Sequence, residues 1–340
     1  TGSLSGTKTE TTNASGVATF DNLTYSENTD LTIQFADTGS NTDTTRTINS
    51  LECDVNEIWT NYGGFWNSND TASPDNSHEL LAFEFNGINY STGVNDQKLT
   101  DNGVTHTKKT FRALPVASLP SQNDGDGNPY LIGLGQLADE RDNNGDNGNT
   151  KPFEASSSNP LTSTEIAGFL TDGVQGLDLG TNATNIPSQN LDTGTTTELR
   201  FNLSSAAVTA GKIGDGIPDL LISQTAAPSS SIFDELEFID DSGVRVGNIV
   251  QLDISSEPQV GSWLMDFYNF DSTIEITNSQ RPIHFFAVDI AEFGINDNNA
   301  GDAAALLYRP NGTSDVSFIA FNEPSLGVAT QLKVIGQPSP

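Results

Sequence analysis

Residues 234–254 read DELEFIDDSGVRVGNIVQLDI. DELEFIDDSG supplies one strand and NIVQLDI the next, and Asp240 and Asp241 stand between them where an ordinary hairpin turn places short polar side chains. The same texture continues outward from this pair. Downstream come SWLMDFYNF (262–270), PIHFFAVDI (282–290), AAALLYRP (303–310), DVSFIAFN (315–322) and ATQLKVIG (329–336). Upstream lie NEIWTNYGGFW (56–66), ELLAFEFNGINYSTG (79–93), KTFRALPV (109–116), PYLIGLGQL (129–137), TELRFNLS (197–204) and PDLLISQTA (218–226). Many short apolar runs at this spacing predict an all-β chain whose main body is a jelly-roll-like double sheet with long loops.

Composition agrees. Gly, Asn, Ser, Thr and Asp dominate a chain with only 17% charged residues, as turns between short strands require. The charge is strongly one-sided: 45 Asp and Glu against 14 Lys and Arg, a formal net charge of -31. Such a surface repels phosphate backbones and anionic lipid, so neither nucleic acid nor a membrane surface is an expected partner. No run of apolar residues is long enough to span a bilayer, and no direct membrane insertion is expected. The single cysteine, Cys53, allows no internal disulfide and reads as a buried thiol.

At 340 residues two domains are expected, with the boundary near Ser50. In residues 1–50, Val17, Thr19, Leu31, Ile33 and Phe35 supply period-two apolar positions. The string SGVATFDNLTY (15–25) resembles the bacterial Ig-like repeats of cell-surface proteins. That resemblance implies a partial Ig-like spacer, lacking its first strands, in a piece of a longer protein. Residues 51–340 form the larger sandwich. A loop-rich insertion at about 121–194 interrupts it, with one short helix expected over TSTEIAGFL (162–170).

The oxygen-rich residues of that insertion form the first candidate site. Asp124, Asp126 and Asn128 alternate with glycines and neighbours, and Asp139, Glu140, Asp142, Asn144 and Asp146 follow. Alternating oxygen donors with glycine turns suit Ca2+, which accepts irregular loops of six to eight oxygens. A glutamate at EF-hand spacing is absent, so the alternatives are an irregular calcium loop or solvated acidic turns. The segment GDGIPDLL (214–221) resembles the Asp-rich calcium segments of thrombospondin type 3-like repeats in a single copy, which implies metal ligands at Asp215 and Asp219. The plainer alternative is a β-turn entering a buried strand.

Three further constellations concern chemistry. Trp59, Tyr62 and Trp66 cluster with Phe65 and two glycines, either as core packing or as a platform on which sugar faces stack. His78, His106 and His284 stand in unrelated contexts, without zinc-protease or nucleophile-elbow spacing. His284 reads as a strand residue and His78 as a turn or strand-start residue. Among so many acids no pair is singled out for glycoside hydrolysis, so the chain is read as non-enzymatic.

HELLAFEFNGINYSTGVND, GDGIPDLLISQTAAPSSSIFDELEFIDDSGVRVGN, VGSWLMDFYNF and RPIHFFAVDIAEFGIN together resemble an extracellular module of large Bacteroidota surface proteins, over most of residues 56–325. The resemblance implies display by the type IX secretion system, as in modular adhesins and gliding-associated proteins. It also implies O-glycan attachment where Asp precedes Ser or Thr and a suitable third residue, at Thr44, Thr71 and Ser272. The expected function is a non-catalytic adhesin or surface-filament segment ordered by calcium, its partner an extracellular glycan, another surface ligand or copies of itself. A lectin-like carbohydrate-binding module is the alternative, and a secreted glycoside hydrolase stands third.

Overall fold

The structure, a computed structural model, describes residues 4–5, 24–25, 31–35, 44–48, 55–70, 72–75, 78–114, 116–118, 130–135, 177–185, 199–203, 208–209, 211–225, 233–255, 257–269, 271, 273–309, 315–323 and 325–326. The chain divides into two compact units, Thr1–Glu52 and Cys53–Pro340. Both are built of antiparallel strands, as the strand pattern predicts. In the first unit, β1 (Leu4–Ser5) pairs with β2 (Thr24–Tyr25), and β3 (Leu31–Phe35) pairs with β4 (Thr44–Ile48).

Among the described residues the second unit contains three sheets. The central one runs β13 (Thr181–Asn185), β11 (Tyr130–Gly135), β18 (Gly261–Tyr268), β19 (Ile274–Val288), β15 (Leu220–Gln224), β21 (Asp315–Asn322) and β9 (Phe111–Ala113). Because β13 also pairs with β21, the first six of these strands close a hydrogen-bonded circuit and the sheet curls. One flanking sheet holds β5 (Val55–Thr60), β6 (Trp66–Asn67), β7 (His78–Phe85), β8 (Ile88–Ser91) and β12 (Asp178–Leu179). The other runs β10 (Val116–Ser118), β14 (Leu199–Asn202), β20 (Ala305–Arg309), β16 (Phe233–Ile239) and β17 (Arg245–Asp253). β11, β12 and β13 fall within 121–194, so that stretch contributes strands to the sheets.

Alternation decides which face meets which neighbour. From the central sheet, Leu221, Trp263, Met265, Phe267, Ile283, Phe285 and Ala287 join Val55, Ile58, Leu80, Phe83 and Phe85 in one apolar core. The opposite face meets the other flanking sheet through Gln224. Its amide donates to Asp234 Oδ2 at 2.8 Å and to the Tyr308 hydroxyl at 3.0 Å, and Tyr308 itself donates to Asp234. All three are fully buried, so this polar tie fixes β15 against β16 and β20. With apolar or bonded partners on both faces, LLISQ of β15 is buried at every position.

Local chemistry sets the turns. Asn86 and Gly87, at φ 51° and 74°, make the two-residue connection between β7 and β8 that right-handed strand twist favours. In the β16–β17 hairpin, Asp240 Oδ1 accepts from the backbone N–H of Ser242 and Val244, both at 2.8 Å. Gly247 sits at φ +80°, and a Cβ there would come within 2.1 Å of the Phe293 carbonyl oxygen. The turn at Ile290–Phe293 reaches β17 only because that position is glycine. A helix the pattern did not predict, α1 (Asp96–Asp101), is capped by Asn95 and buries Leu99 beside Trp59, Leu81 and Ala82. The expected helix at 162–170 lies outside the described residues, as does Cys53.

Candidate functional site

At one end of the central sheet β19, β15 and β21 finish side by side. Leu220 is in register with Val288 on one strand and Phe321 on the other, so the next positions outward are Asp289, Asp219 and Asn322. The Asp219 N–H donates to the Val288 carbonyl at 3.0 Å, and the Asn322 N–H donates to the Asp219 carbonyl at 2.9 Å. Ser325 lies in the turn after β21, its N–H donating to the Asn322 carbonyl at 2.9 Å. Topology, not sequence proximity, assembles these residues.

Asp219 is 1% exposed. Its Oδ2 accepts from the Ile290 N–H at 2.9 Å, whereas its Oδ1 is buried and completes no hydrogen bond among the described residues. The same holds for Asn322 Oδ1 and Ser325 Oγ, whose residues are 3% and 1% exposed. The Ser325 hydroxyl lies close enough to Asp219 to favour its charged form, but outside hydrogen-bonding geometry. Burial dominates and, with smaller pushes from the Asp289 and Asp215 charges, raises the Asp219 carboxyl to about 7.

Asp215 lies further out. Its Oδ1 accepts from the Ile217 N–H at 3.0 Å in a local turn, and its Oδ2 is 3.7 Å from Lys212 Nζ. Asp289 caps the turn that follows it, its Oδ1 accepting from Ala291 N–H at 2.8 Å and Gly214 N–H at 2.9 Å. The 214–221 segment enters a buried strand at Asp219, as its β-turn reading has it, and one carboxylate oxygen of Asp219 is buried there. Among the described residues no three His, Cys, Asp or Glu side chains form a group that could hold a metal ion. A cation here would draw instead on one carboxylate, the Asn322 amide oxygen and the Ser325 hydroxyl.

The aromatic candidates are divided between two clusters. Trp59, 5% exposed, packs with Leu81, Ala82 and Leu99, whereas Trp66, 4% exposed, belongs to the main core with Tyr62 against it. Trp66 meets Trp263 edge to face at 5.4 Å and donates its Nε1–H to the Ala72 carbonyl at 2.9 Å. Trp263 donates its Nε1–H to His78 Nε2 at 3.0 Å, with the two ring planes only 6° apart. A nitrogen separation that short between parallel rings places them edge to edge in one plane. Because indole only donates, His78 Nε2 is the acceptor. Tyr62 donates to Asp75 Oδ1 at 2.6 Å, and that bond is the main cause that raises its phenol above the ordinary value.

His78 begins β7 and His284 lies within β19, where its Nδ1 reaches the Glu257 and Pro258 carbonyls, both at 3.2 Å. His106 Nδ1 lies 3.1 Å from the Val104 carbonyl. The three histidines thus serve separate local bonds. Thr44 is the first residue of β4. Asp124, Asp126, Asn128, Asp139, Glu140, Asp142, Asn144, Asp146, Thr71 and Ser272 lie outside the described residues. Sequence reasoning missed Asn322, Ser325 and Asp289, since FNEPS and VDI read only as strand ends until the strands are aligned.

No protein-family model matches the chain, and neither a curated protein nor a solved structure matches it. Among the described residues no helix is long and apolar enough to cross a membrane.

Proposed function

We propose that the chain is a non-catalytic segment of an extracellular cell-surface adhesin or surface filament, its acidic loops ordered by calcium. The observation that carries this reading is the use made of the groups a catalytic or sugar-stacking site would need. His78 holds Trp263, Tyr308 and Gln224 hold Asp234, and Trp59 and Trp66 are packed into two separate clusters. Such a body is suited to holding its shape and projecting a strongly acidic surface. The calcium-ordered loops of this proposal are those of Asp124 to Asp146, with type IX export as the route to the surface.

A glycan array together with molar-mass measurement over a wide concentration range tests this. Concentration-dependent assembly supports the filament form, and saturable binding to a surface ligand supports the adhesin form. Binding to one glycan class that is lost on substituting the half-buried Tyr62 would move the chain to the lectin-like alternative. Turnover of a glycan or peptide panel would overturn the non-catalytic reading.

A further inference from the structure

We propose that Asp219, Asn322 and Ser325 form a calcium site at the end of the central sheet, with Asp215 and Asp289 supplying the surrounding negative potential. The site goes beyond the acidic loops of the insertion and stands on the described residues alone.

Asp219 Oδ1, Asn322 Oδ1 and Ser325 Oγ are all buried and lack a hydrogen-bond partner among the described residues. They come from two adjacent strand ends and the turn that follows, tied together by the Asn322 and Ser325 backbone bonds. With Asp219 ionised, the three atoms share one hydroxyl hydrogen, so internal bonding cannot satisfy them all. Carboxylate, amide carbonyl and hydroxyl are hard oxygen donors, and the irregular set favours Ca2+ over the stricter octahedron of Mg2+.

Charge points the same way. Asp219 is buried within range of two further carboxylates, Asp289 and Asp215. The nearby Lys212 reaches the outer oxygen of Asp215, and among the described residues Asp219 makes no ion pair. A bound divalent cation would offset the buried charge and complete the coordination of the three oxygens.

The test is calcium titration of the chelator-stripped, dialysed chain, read by calorimetry and by thermal melting near pH 8. Wild type is compared with Asp219→Asn, Ser325→Ala and a loop variant carrying Asp124→Asn, Asp126→Asn and Asp142→Asn. The expected result is that the loop variant keeps a calcium site. Ser325→Ala weakens this site by about tenfold, and Asp219→Asn abolishes it. Asp219→Asn preserves shape and removes a buried charge; should it fail to fold, the Ser325→Ala comparison decides alone.

Calcium binding that disappears in the loop variant and is untouched by Ser325→Ala and Asp219→Asn overturns this site while leaving the calcium-ordered loops standing. No calcium binding in the wild type overturns both.

Discussion

The tie between the central sheet and its β16–β20 neighbour can be tested by removing a single oxygen. Tyr308→Phe keeps the ring and its packing, deletes the hydroxyl that donates to Asp234 and accepts from the Gln224 amide, and leaves that amide on the same carboxylate at 2.8 Å. A hydrogen bond to a charged acceptor contributes about 1.5 to 3 kcal/mol, and with one donor retained a loss of about 2 kcal/mol is expected. No cavity term is added, because the ring still fills its site. Asp234→Ala should cost more, about 3 kcal/mol or above, since both the Tyr308 hydroxyl and the Gln224 amide lose a buried acceptor. Burial, then the Asp234 charge, pushes the Tyr308 phenol well above its ordinary range, so it remains a donor throughout the neutral region. Urea unfolding followed by tryptophan fluorescence reads the difference as a lower midpoint with unchanged slope. A Tyr308→Phe change within about 0.5 kcal/mol of wild type would refute the tie as a determinant of sheet packing.

In cation-free buffer, Asp219 keeps its proton up to about pH 7 when folded but only to about 3.8 when unfolded. Its contribution is therefore fullest below 3.8 and declines between the two values, by at most about 1.4 kcal/mol per pH unit; Asp219→Asn should flatten that slope in pH-dependent melts. His284 has the opposite sign. Burial lowers its value below 6.5, so its contribution is lost as pH falls below 6.5, and His284→Gln should remove that acid-side decline. Gly247→Ala must move either β17 or the Phe293 carbonyl and should cost about 3 kcal/mol in chemical denaturation. Trp263→Phe removes the donor to His78 and shrinks a fully buried side chain, for an expected loss of about 2 to 4 kcal/mol in the same assay.

Strand existence was the most legible feature. DELEF and NIVQLDI became β16 and β17 joined by the Asp240 turn, and SWLMDFYNF, PIHFFAVDI and DVSFIAFN became β18, β19 and β21. Period-two alternation and turn residues are local signals, and the strands obey them. Strand order is not local: that β13 closes onto β21 depends on pairings far apart in the chain. The helix at Asp96–Asp101 escaped notice because a single turn with one buried leucine has no sustained period; only the Asn95 cap foretold it. At the candidate site, Asp219 was legible from its turn motif. Asn322 and Ser325 were not, because what distinguishes them is register with β15 and burial without a partner.

Surface labelling of intact source cells, with an antibody raised against residues 53–340, tests the central claim most directly. Unpermeabilised cells are expected to be labelled, and brief treatment with external protease to remove the label. Labelling that requires lysis and survives external protease would contradict it.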